Sequence, residues 1–423
     1  MMKPSGIEWI GIIPDDWKTN TAFQIFTQVK NKNEGLQEQN LLSLSYGKIK
    51  RKGIETVGGL LPESFDGYNI IEADDIVLRL TDLQNDQKSL RVGLSPERGI
   101  VTSAYLTLRN RSNSLPQYLY YYLHAFDISK GFYGMGAGVR QGLNWDGLKW
   151  LKILTPPVQE QEKIVRFLDT ECARIDAVIE QTRASIEEYK KLKQSVITEA
   201  VTKGIRPDRK MKDSGVEWIG DIPEEWQITK MKYISSSIGD GLHAAPDFDA
   251  NGSYYFINGN NLGDKQIKIK NNTNSVSEEE YSNYNQPVLY LNAILIALNG
   301  TYGLVSFYQG EKIMLGKSAG FINLFPNINR SYVRYALLSD YSKKQMDDSL
   351  MGTTIANISL RSIRNIAITW PSENEQEEIS LFLDSTCDEL DKLIVEKTQV
   401  VNELESYKKS LIFEYVTGKK EVI

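Results

Sequence analysis

Cysteine and histidine are scarce in this 423-residue chain, with two of each. Neither Cys172 nor Cys387 has a cysteine or histidine neighbour at the spacing of a zinc site. His124 and His243 have no partner nearby in the sequence for a metal site or a catalytic triad. We therefore expect two small buried thiols, no metal site, and no catalysis that depends on histidine.

Long apolar runs are missing as well. The longest, near Ala293–Leu298, is far too short to cross a bilayer. The first residues do not have the pattern of a signal peptide. We expect a cytoplasmic protein with no membrane partner.

Motifs for nucleotide binding and for methyl transfer are absent too. No Gly-Lys-Ser/Thr phosphate loop occurs, and the glycine run at 134–138 lacks the strand–glycine–helix context of a nucleotide site. Thr155-Pro156-Pro157-Val158 has no Asn or Asp before its prolines, so it differs from the Asn/Asp-Pro-Pro-aromatic motif of amino methyltransferases. The sequence predicts a chain that is not an enzyme by itself.

The composition is that of a globular protein with more than one domain. Hydrophobic residues make up 41% of the chain, and its length exceeds what one core usually supports. The net charge is −6, but residues 366–423 alone carry 13 acidic and 6 basic side chains. The remainder is nearly neutral, which is compatible with nucleic-acid binding through local basic patches.

Two stretches of the sequence are repeated. Met2–Trp17 and Met211–Trp226 share 11 of 16 residues, and Pro156–Thr202 aligns without a gap to Pro371–Thr417, with 18 of 47 residues identical. The segments between them diverge. A repeat this long indicates a duplicated domain rather than a solenoid.

The second repeated stretch has the heptad spacing of a coiled coil. Prolines lie just before each predicted helix, Gly204 and Gly418 lie near the ends, and Lys193 and Lys408 take the same heptad position. The predicted seam consists of Leu168, Ile175, Ile179, Ile186, Leu383, Leu390, Ile394, Val401 and Leu404. We expect two long helices that pack antiparallel, with the lysines favouring one register. The alternative is that each helix packs only on its own domain.

The divergent middles alternate short β-like runs, such as those at 41–44, 75–80 and 293–298, with short amphipathic helices at 118–126 and 332–341. This pattern predicts mixed α/β domains. The predicted segments are a first domain at 1–155, a central helix at 156–204, a second domain at 205–370 and a distal helix at 371–423. Polar residues in predicted loops are suited to contacting phosphates and base edges. In the first middle these are Lys48, Lys50, Arg51, Lys52, Arg140, Gln141 and Asn144; in the second they are Asn258, Asn260, Asn261, Lys265, Lys268, Lys270, Asn299, Thr301, Tyr302, Lys317 and Ser318.

These features together resemble the specificity subunits of Type I restriction-modification systems. The resemblance rests on the paired Ser-Gly-x-Glu-Trp-Ile-Gly segments, which begin at Ser5 and Ser214, and on the paired Phe-Leu-Asp entries to the helices at 167–169 and 382–384. Gly138–Leu143 also resembles the family, although the second copy departs from it at 353–358.

The resemblance implies a fold and a function. It implies an α+β, mixed α/β protein with two target-recognition domains joined by two long antiparallel coiled-coil helices, duplicated about a pseudo-two-fold axis. Each domain would read one half of a split, asymmetric site in double-stranded DNA, and the helices would set the gap and dock two adenine methyltransferase subunits. Up to two restriction subunits can then join. The chain itself would bind no cofactor, since S-adenosylmethionine, ATP and Mg²⁺ belong to the partner subunits.

Three other classes of function remain open. A free-standing two-part DNA-binding regulator would use the same readers without enzyme partners, but the long helices exceed what it needs. A coiled-coil adaptor without a DNA role leaves the polar loops unexplained. A self-contained methyltransferase or nuclease lacks its motifs.

Overall fold

The computed structural model describes residues 1–53, 64–84, 86, 90–136, 142–350 and 357–422. The chain divides into two compact units. The first consists of Met1–Arg183 with Gln399–Ile423, and the second of Ala184–Thr398. Each unit is mixed α/β, as the sequence predicts.

The first unit is built around a four-stranded antiparallel sheet. The strands of the whole unit are β1 (Met2–Pro4), β2 (Ile12–Pro14), β3 (Lys18–Thr21), β4 (Phe26–Gln28), β5 (Leu42–Ser45), β6 (Lys48–Arg51), β7 (Asn69–Ile71), β8 (Ile76–Leu78), β9 (Val92–Leu94), β10 (Gly99–Val101), β11 (Leu106–Asn110) and β12 (Lys152–Thr155). Its α-helices are α1 (Ala22–Ile25), α2 (Pro116–Ile128), α3 (Trp145–Leu148), the first part of α4 (Val158–Lys203) and the end of the second long helix, which spans Glu373–Val416. The main sheet has the order β4-β11-β8-β9, and β1–β2, β3–β12, β5–β6 and β7–β10 form antiparallel pairs.

The second unit repeats this sheet. Its strands are β13 (Met211–Asp213), β14 (Asp221–Pro223), β15 (Gln227–Lys230), β16 (Ser235–Asp240), β17 (Tyr254–Ile257), β18 (Ser275–Val276), β19 (Ala293–Ala297), β20 (Val305–Phe307), β21 (Ile313–Leu315), β22 (Ala319–Leu324) and β23 (Ala367–Trp370). Its α-helices are the end of α4, α5 (Glu278–Ser282), α6 (Arg330–Leu338), α7 (Asp340–Asp348), α8 (Leu360–Asn365) and the first part of α9 (Glu373–Val416). The four-stranded sheet has the equivalent order β16-β22-β19-β20, and β15 pairs with β23 as β3 pairs with β12.

The repeated Ser-Gly-x-Glu-Trp-Ile-Gly segments form the same turn in both units. The backbone N–H of Ile7 donates to Ser5 Oγ at 3.0 Å, and that of Val216 donates to Ser214 Oγ at 3.2 Å. Both glycines of each segment have φ between 69° and 78°. Only glycine adopts this conformation without strain, which is the physical reason for the repeated residues.

The repeated aspartate of Phe-Leu-Asp holds a short helix against a long one. The Tyr121 hydroxyl on α2 donates to Asp169 Oδ1 at 2.7 Å, and the Tyr335 hydroxyl on α6 donates to Asp384 Oδ1 at 2.7 Å. Burial and these hydrogen bonds raise the pKa of both tyrosines well above its ordinary value. Each phenol therefore stays protonated and remains a donor to the carboxylate.

The two long helices pack antiparallel within each unit. In the first, the rings of Phe167 and Tyr415 lie 4.4 Å apart, and in the second the Lys397 ammonium lies 5.6 Å from the Tyr189 ring. In each unit the contacts move down α9 as they move up α4, from Phe167–Tyr415 to Asp176–Lys408 in the first and from Tyr189–Lys397 to Lys193–Asp391 in the second. This confirms the antiparallel prediction in each unit. The helices therefore do not pack on their own domains alone. Gly204 and Gly418 follow the helix ends with φ of 79° and 68°.

Candidate nucleic-acid interface

In the second unit, several predicted DNA-contacting residues converge at one group of turns. Ser318 Oγ donates to Asn258 Oδ1 at 2.9 Å and accepts from the backbone N–H of Gly259 at 2.8 Å. Asn261 Oδ1 accepts from the backbone N–H of Asn258 at 3.0 Å. The turn after β17 and the turn between β21 and β22 are thus tied together by the side chains that the sequence singles out.

The loop after β19 joins the same group of turns. The backbone N–H of Leu298 donates to the Ser318 carbonyl at 2.9 Å, which places Asn299 beside this turn. Asn299 also forms a β-bridge with Asn357. Asn260 and Lys317 are exposed within the group. The result is a polar surface with exposed amide and ammonium groups, suited to phosphates and base edges.

Two other predicted residues of the second unit bind protein groups instead. The Tyr302 hydroxyl donates to Asp347 Oδ1 at 2.7 Å. Lys265 Nζ lies 3.0 Å from both Asp384 and Asp388 on α9. Burial lowers the pKa of Lys265, but hydrogen bonds to the two carboxylates outweigh it and raise the pKa above its usual value. Lys268 and Lys270 are exposed on the same loop.

In the first unit the predicted basic turn is the β5–β6 hairpin. Lys50 and Lys52 are exposed. Arg51 pairs through Nε and Nη2 with the carboxylate of Glu97. Lys48 Nζ lies 3.4 Å from Asp176 on α4. Two of the four cations are therefore exposed without an ion pair in the described part of the chain.

The remaining predictions for the first unit concern the segment before α3. Asn144 is the N-cap of α3 and accepts from the backbone N–H of Gly147 at 3.1 Å. An N-cap satisfies a helix donor that would otherwise have no partner. Arg140 and Gln141 lie outside the described residues, so their contact with DNA stays a prediction.

Arg91 is a residue of the first unit that the sequence analysis missed. Its buried guanidinium donates through Nη1 to the carbonyls of Arg79 at 2.9 Å and Thr81 at 2.8 Å, and through Nη2 to Asp82 at 3.4 Å. It also donates to the Asp86 carbonyl. Arg91 thereby fixes the segment that follows β8. An isolated arginine carries no sequence signal for such a role.

The segment fixed by Arg91 is the counterpart of the Asn299 loop. It follows β8, the third strand of the first sheet, whereas Asn299 follows β19, the third strand of the second. The backbone N–H of Leu143 donates to the Leu80 carbonyl at 2.9 Å, and that of Ile358 donates to the Leu298 carbonyl at 2.8 Å. Thr81 thus takes the place of Asn299. The strand order, and not the sequence alone, identifies this segment as a candidate DNA contact.

Most of the predicted seam is buried. Leu168, Ile175, Ile179, Ile186, Leu383, Leu390 and Val401 are at most 8% exposed, and Ile394 and Leu404 are half-buried. The seam lysines bind aspartates on the facing helix. Lys193 Nζ lies 2.7 Å from Asp391, and Lys408 Nζ lies 2.6 Å from Asp176. Asp176 and Asp391 occupy equivalent positions in the two repeats, as Lys193 and Lys408 do. The two ion pairs are therefore the same contact, made once in each unit.

Other groups that could carry chemistry are few in the described chain. Cys172 and Cys387 are buried and free, and burial raises the pKa of Cys172 to about 11 and that of Cys387 above its usual value. Among the described residues no group of three or more His, Cys, Asp or Glu side chains is placed to hold a metal ion. No helix in the described ranges is long and apolar enough to cross a membrane.

Comparison with known proteins identifies relatives along almost the whole chain. Residues 14–188 and 223–405 match the family model of the Type I restriction modification DNA specificity domain. The Type I restriction enzyme MjaVIII specificity subunit of Methanocaldococcus jannaschii is 25% identical over 420 residues, covering 97% of this chain and 94% of the relative. The putative type I restriction enzyme MjaX specificity subunit of that organism is 25% identical over 438 residues, covering 98% and 96%.

A solved structure supports the same fold. It is described as the structural basis underlying complex assembly and conformational transition of the type I R-M system. One of its chains superposes with a TM-score of 0.69 at 15% sequence identity, covering 96% of this chain and 99% of that chain. The likeness shows that the two chains share a fold.

Proposed function

The chain belongs to the Type I restriction modification DNA specificity family, and from that premise we propose that its two divergent middles read the two halves of one split DNA target. The observation that carries the proposal is the duplicated four-stranded sheet, on which different polar loops stand at equivalent strand ends. Because the loops differ between the copies, the two half-sites differ and the target is asymmetric.

The second unit supports base reading at the turns that carry Asn258, Asn299 and Ser318. Asparagine side chains discriminate adenine and serine can bond to base edges, while lysines such as Lys317 attract phosphates irrespective of sequence. In the first unit, the exposed Lys50 and Lys52 and the segment fixed by Arg91 take these roles. Two modest affinities on one chain combine into a single tight interaction when both half-sites are present.

We place catalysis on partner subunits. Two adenine methyltransferase subunits dock on the long helices and bring S-adenosylmethionine, and up to two restriction subunits bring ATP and Mg²⁺. Exposed apolar side chains on the helices support a protein partner. In the second unit these include Leu381, Phe382, Leu393 and Val395, which are 39% to 65% exposed. We propose that this complex works in the cytoplasm, where its DNA lies.

The experiment is to co-express the chain with its cognate adenine methyltransferase subunit in a host without DNA methylation, and to map N6-methyladenine by long-read sequencing. We expect one two-part asymmetric motif with a fixed gap. The control is the methyltransferase subunit expressed alone, which should methylate no such motif. A stable complex that marks no two-part motif would contradict the proposal. Tight specific binding by the chain alone, without any complex, would favour the free-standing regulator.

A further inference from the structure

A hairpin tip of the second unit carries two opposite charges side by side. Leu262 and Ile267 form an antiparallel bridge, and the backbone N–H of Gly263 donates to the Gln266 carbonyl at 3.1 Å. The tip of this hairpin is Asp264-Lys265. Lys265 has a φ of 67°, a left-handed conformation that costs a residue with a Cβ some free energy. The surrounding contacts must offset that cost.

The tip is held by three helices of its own unit. Asp264 Oδ2 lies 3.3 Å from Lys193 Nζ on α4, and its other carboxylate oxygen pairs with Arg334 on α6. The Arg334 side chain is only 3% exposed. Lys265 Nζ lies 3.0 Å from both Asp384 and Asp388 on α9. Two cationic side chains face Asp264 and two anionic side chains face Lys265, so the tip fits in one orientation.

The first unit places a hairpin tip at the equivalent ion pair. The tip of the β5–β6 hairpin is Tyr46-Gly47, with both residues left-handed. Lys48, which follows at once, lies 3.4 Å from Asp176, the aspartate that binds Lys408. The seam pair Lys408–Asp176 in this unit is the repeat counterpart of Lys193–Asp391 in the other.

The two hairpins also occupy the same position in the fold. In the second unit, Lys265 forms an isolated parallel β-bridge with Ser306 on β20. In the first unit, Gly47 packs closely on Leu90, next to β9, since a Cβ added to Gly47 would lie 3.1 Å from the Leu90 Cβ. β9 and β20 are equivalent edge strands of the two sheets. The hairpin sequences are unrelated, yet each hairpin contacts the ion pair between the long helices, through Asp264 in the second unit and through Lys48, next to the tip, in the first. Such a contact, made twice by different residues, indicates a requirement on the position of the domain.

We propose that these hairpin tips are clamps that fix each recognition domain on its helix pair, and that Asp264 and Lys265 thereby determine which spacing between the two DNA half-sites is accepted. This inference rests on the proposed function. Successive base pairs are about 3.4 Å apart along one strand, so a domain free to shift by that distance would accept a gap one base pair longer or shorter. Lys265 then acts as a positioning residue, whereas Lys268 on the same loop is available to the phosphates.

The test compares Lys265→Glu with Lys268→Glu, which changes the charge of the same loop equally. Each chain, in complex with its methyltransferase subunit, is offered DNA carrying the mapped half-sites at the native gap and at gaps one base pair longer or shorter. We expect Lys265→Glu to reduce the preference for the native gap by about fivefold while the recognised bases stay the same. Lys268→Glu should weaken binding at all gaps alike.

A charge swap supplies the rescue. Lys265→Glu combined with Asp388→Lys restores one ion pair, so the gap preference should move back toward that of the unchanged chain. The recovery is incomplete because Asp384 remains acidic. If Lys265→Glu instead weakens binding equally at all gaps, as Lys268→Glu does, Lys265 is a phosphate contact and the clamp is wrong.

Hydrogen exchange in the complex without DNA separates the clamp from the proposed function. The backbone amides of residues 262–267 should exchange faster in Lys265→Glu and slow down again in the charge swap. Unchanged exchange in Lys265→Glu would overturn the clamp whatever the DNA result. A complex of the unchanged chain that methylates no two-part motif would overturn the proposed function, while the exchange rates still decide the clamp.

Discussion

The four-stranded sheets of the two units have the same strand order, whereas the strands beside them pair differently. In the first unit β7 pairs with β10, and the link from Leu41 to Ile100 is a single parallel bridge. In the second, β17 pairs in parallel with β21 along three residues and antiparallel with β18. Both units are held to the long helices by the same tyrosine–aspartate contact, whereas the loops around the shared sheet differ between the units. The repeated residues therefore keep both domains on the long helices in the same way, while the divergent residues make the two polar surfaces different.

The largest expected effect concerns the shared part. Trp17 and Trp226 end the repeated N-terminal segments and are at most 1% exposed. Trp17→Ala and Trp226→Ala should each lower the free energy of unfolding of their unit by about 3–5 kcal/mol, because a large buried side chain leaves a cavity. Denaturant titration measures this.

Trp150→Ala is the control for both variants, since Trp150 is 66% exposed and its loss should change stability by less than about 0.5 kcal/mol. The Trp226 indole also donates to Glu375 at 2.9 Å, so Trp226→Ala should cost no less than Trp17→Ala. A loss confined to one of the two variants would show that the copies are not equivalent in energy.

A smaller effect is a difference between the two units in how their stability depends on pH. His124 on α2 takes the place of Leu338 on α6, as the paired Tyr121 and Tyr335 show. Burial lowers the pKa of His124 to about 4, with Lys408 and Lys409 contributing. A folded-state pKa below the unfolded one makes the folded state bind protons less tightly. Stability is therefore full above about pH 6.5 and is lost as the pH falls toward 4.

His124→Leu should remove that loss. Between pH 7 and pH 5 the unchanged chain should lose about 2 kcal/mol more stability than the variant. Thermal unfolding at the two pH values measures the difference, and the contribution of other groups such as Asp127 cancels because both chains contain them. Equal pH dependence in the two chains would mean that His124 is already protonated in the folded protein or is not buried.

The smallest effect compares the two tyrosine–aspartate contacts. Tyr121→Phe and Tyr335→Phe each remove one hydrogen bond to a carboxylate, which should cost about 1–2 kcal/mol. Asp384 keeps its ion pair with Lys265, so we expect Tyr335→Phe to cost less than Tyr121→Phe. The exposed Tyr407, changed to Phe, is the control. The reverse order of the two losses in denaturant titration would contradict the account of these contacts.

The sequence predicts the scaffold because its signals are local. The heptad spacing and the flanking prolines and glycines predict helices at 156–204 and 371–423, and the structure has them at Val158–Lys203 and Glu373–Val416. The apolar runs near 41–44, 75–80 and 293–298 also fall on or around strands, and the helix predicted at 118–126 lies within α2. The helix predicted at 332–341 is interrupted at Ser339, which caps α7.

The candidate interface was less predictable because side-chain partners are distant in the sequence. Arg51 forms an ion pair with Glu97, which lies 46 residues later in the sequence. Lys265 forms ion pairs with Asp384 and Asp388, both more than a hundred residues later. No local pattern separates a lysine that binds a carboxylate from one that faces solvent. Asn144 likewise matches a base-reading residue in type, yet its side chain caps a helix.

In the proposed function the divergent middles select the DNA bases, and the repeated parts hold the middles in place. The decisive variant replaces residues 231–366 with residues 22–151, which joins the segments at the ends of the paired strands β3–β12 and β15–β23. The chimaera is co-expressed with the methyltransferase subunit and its methylated motif is mapped. If the middles select the bases, both halves of the methylated motif will carry the bases of the first half-site. A folded, partner-bound chimaera that still recognises the original second half-site would contradict it.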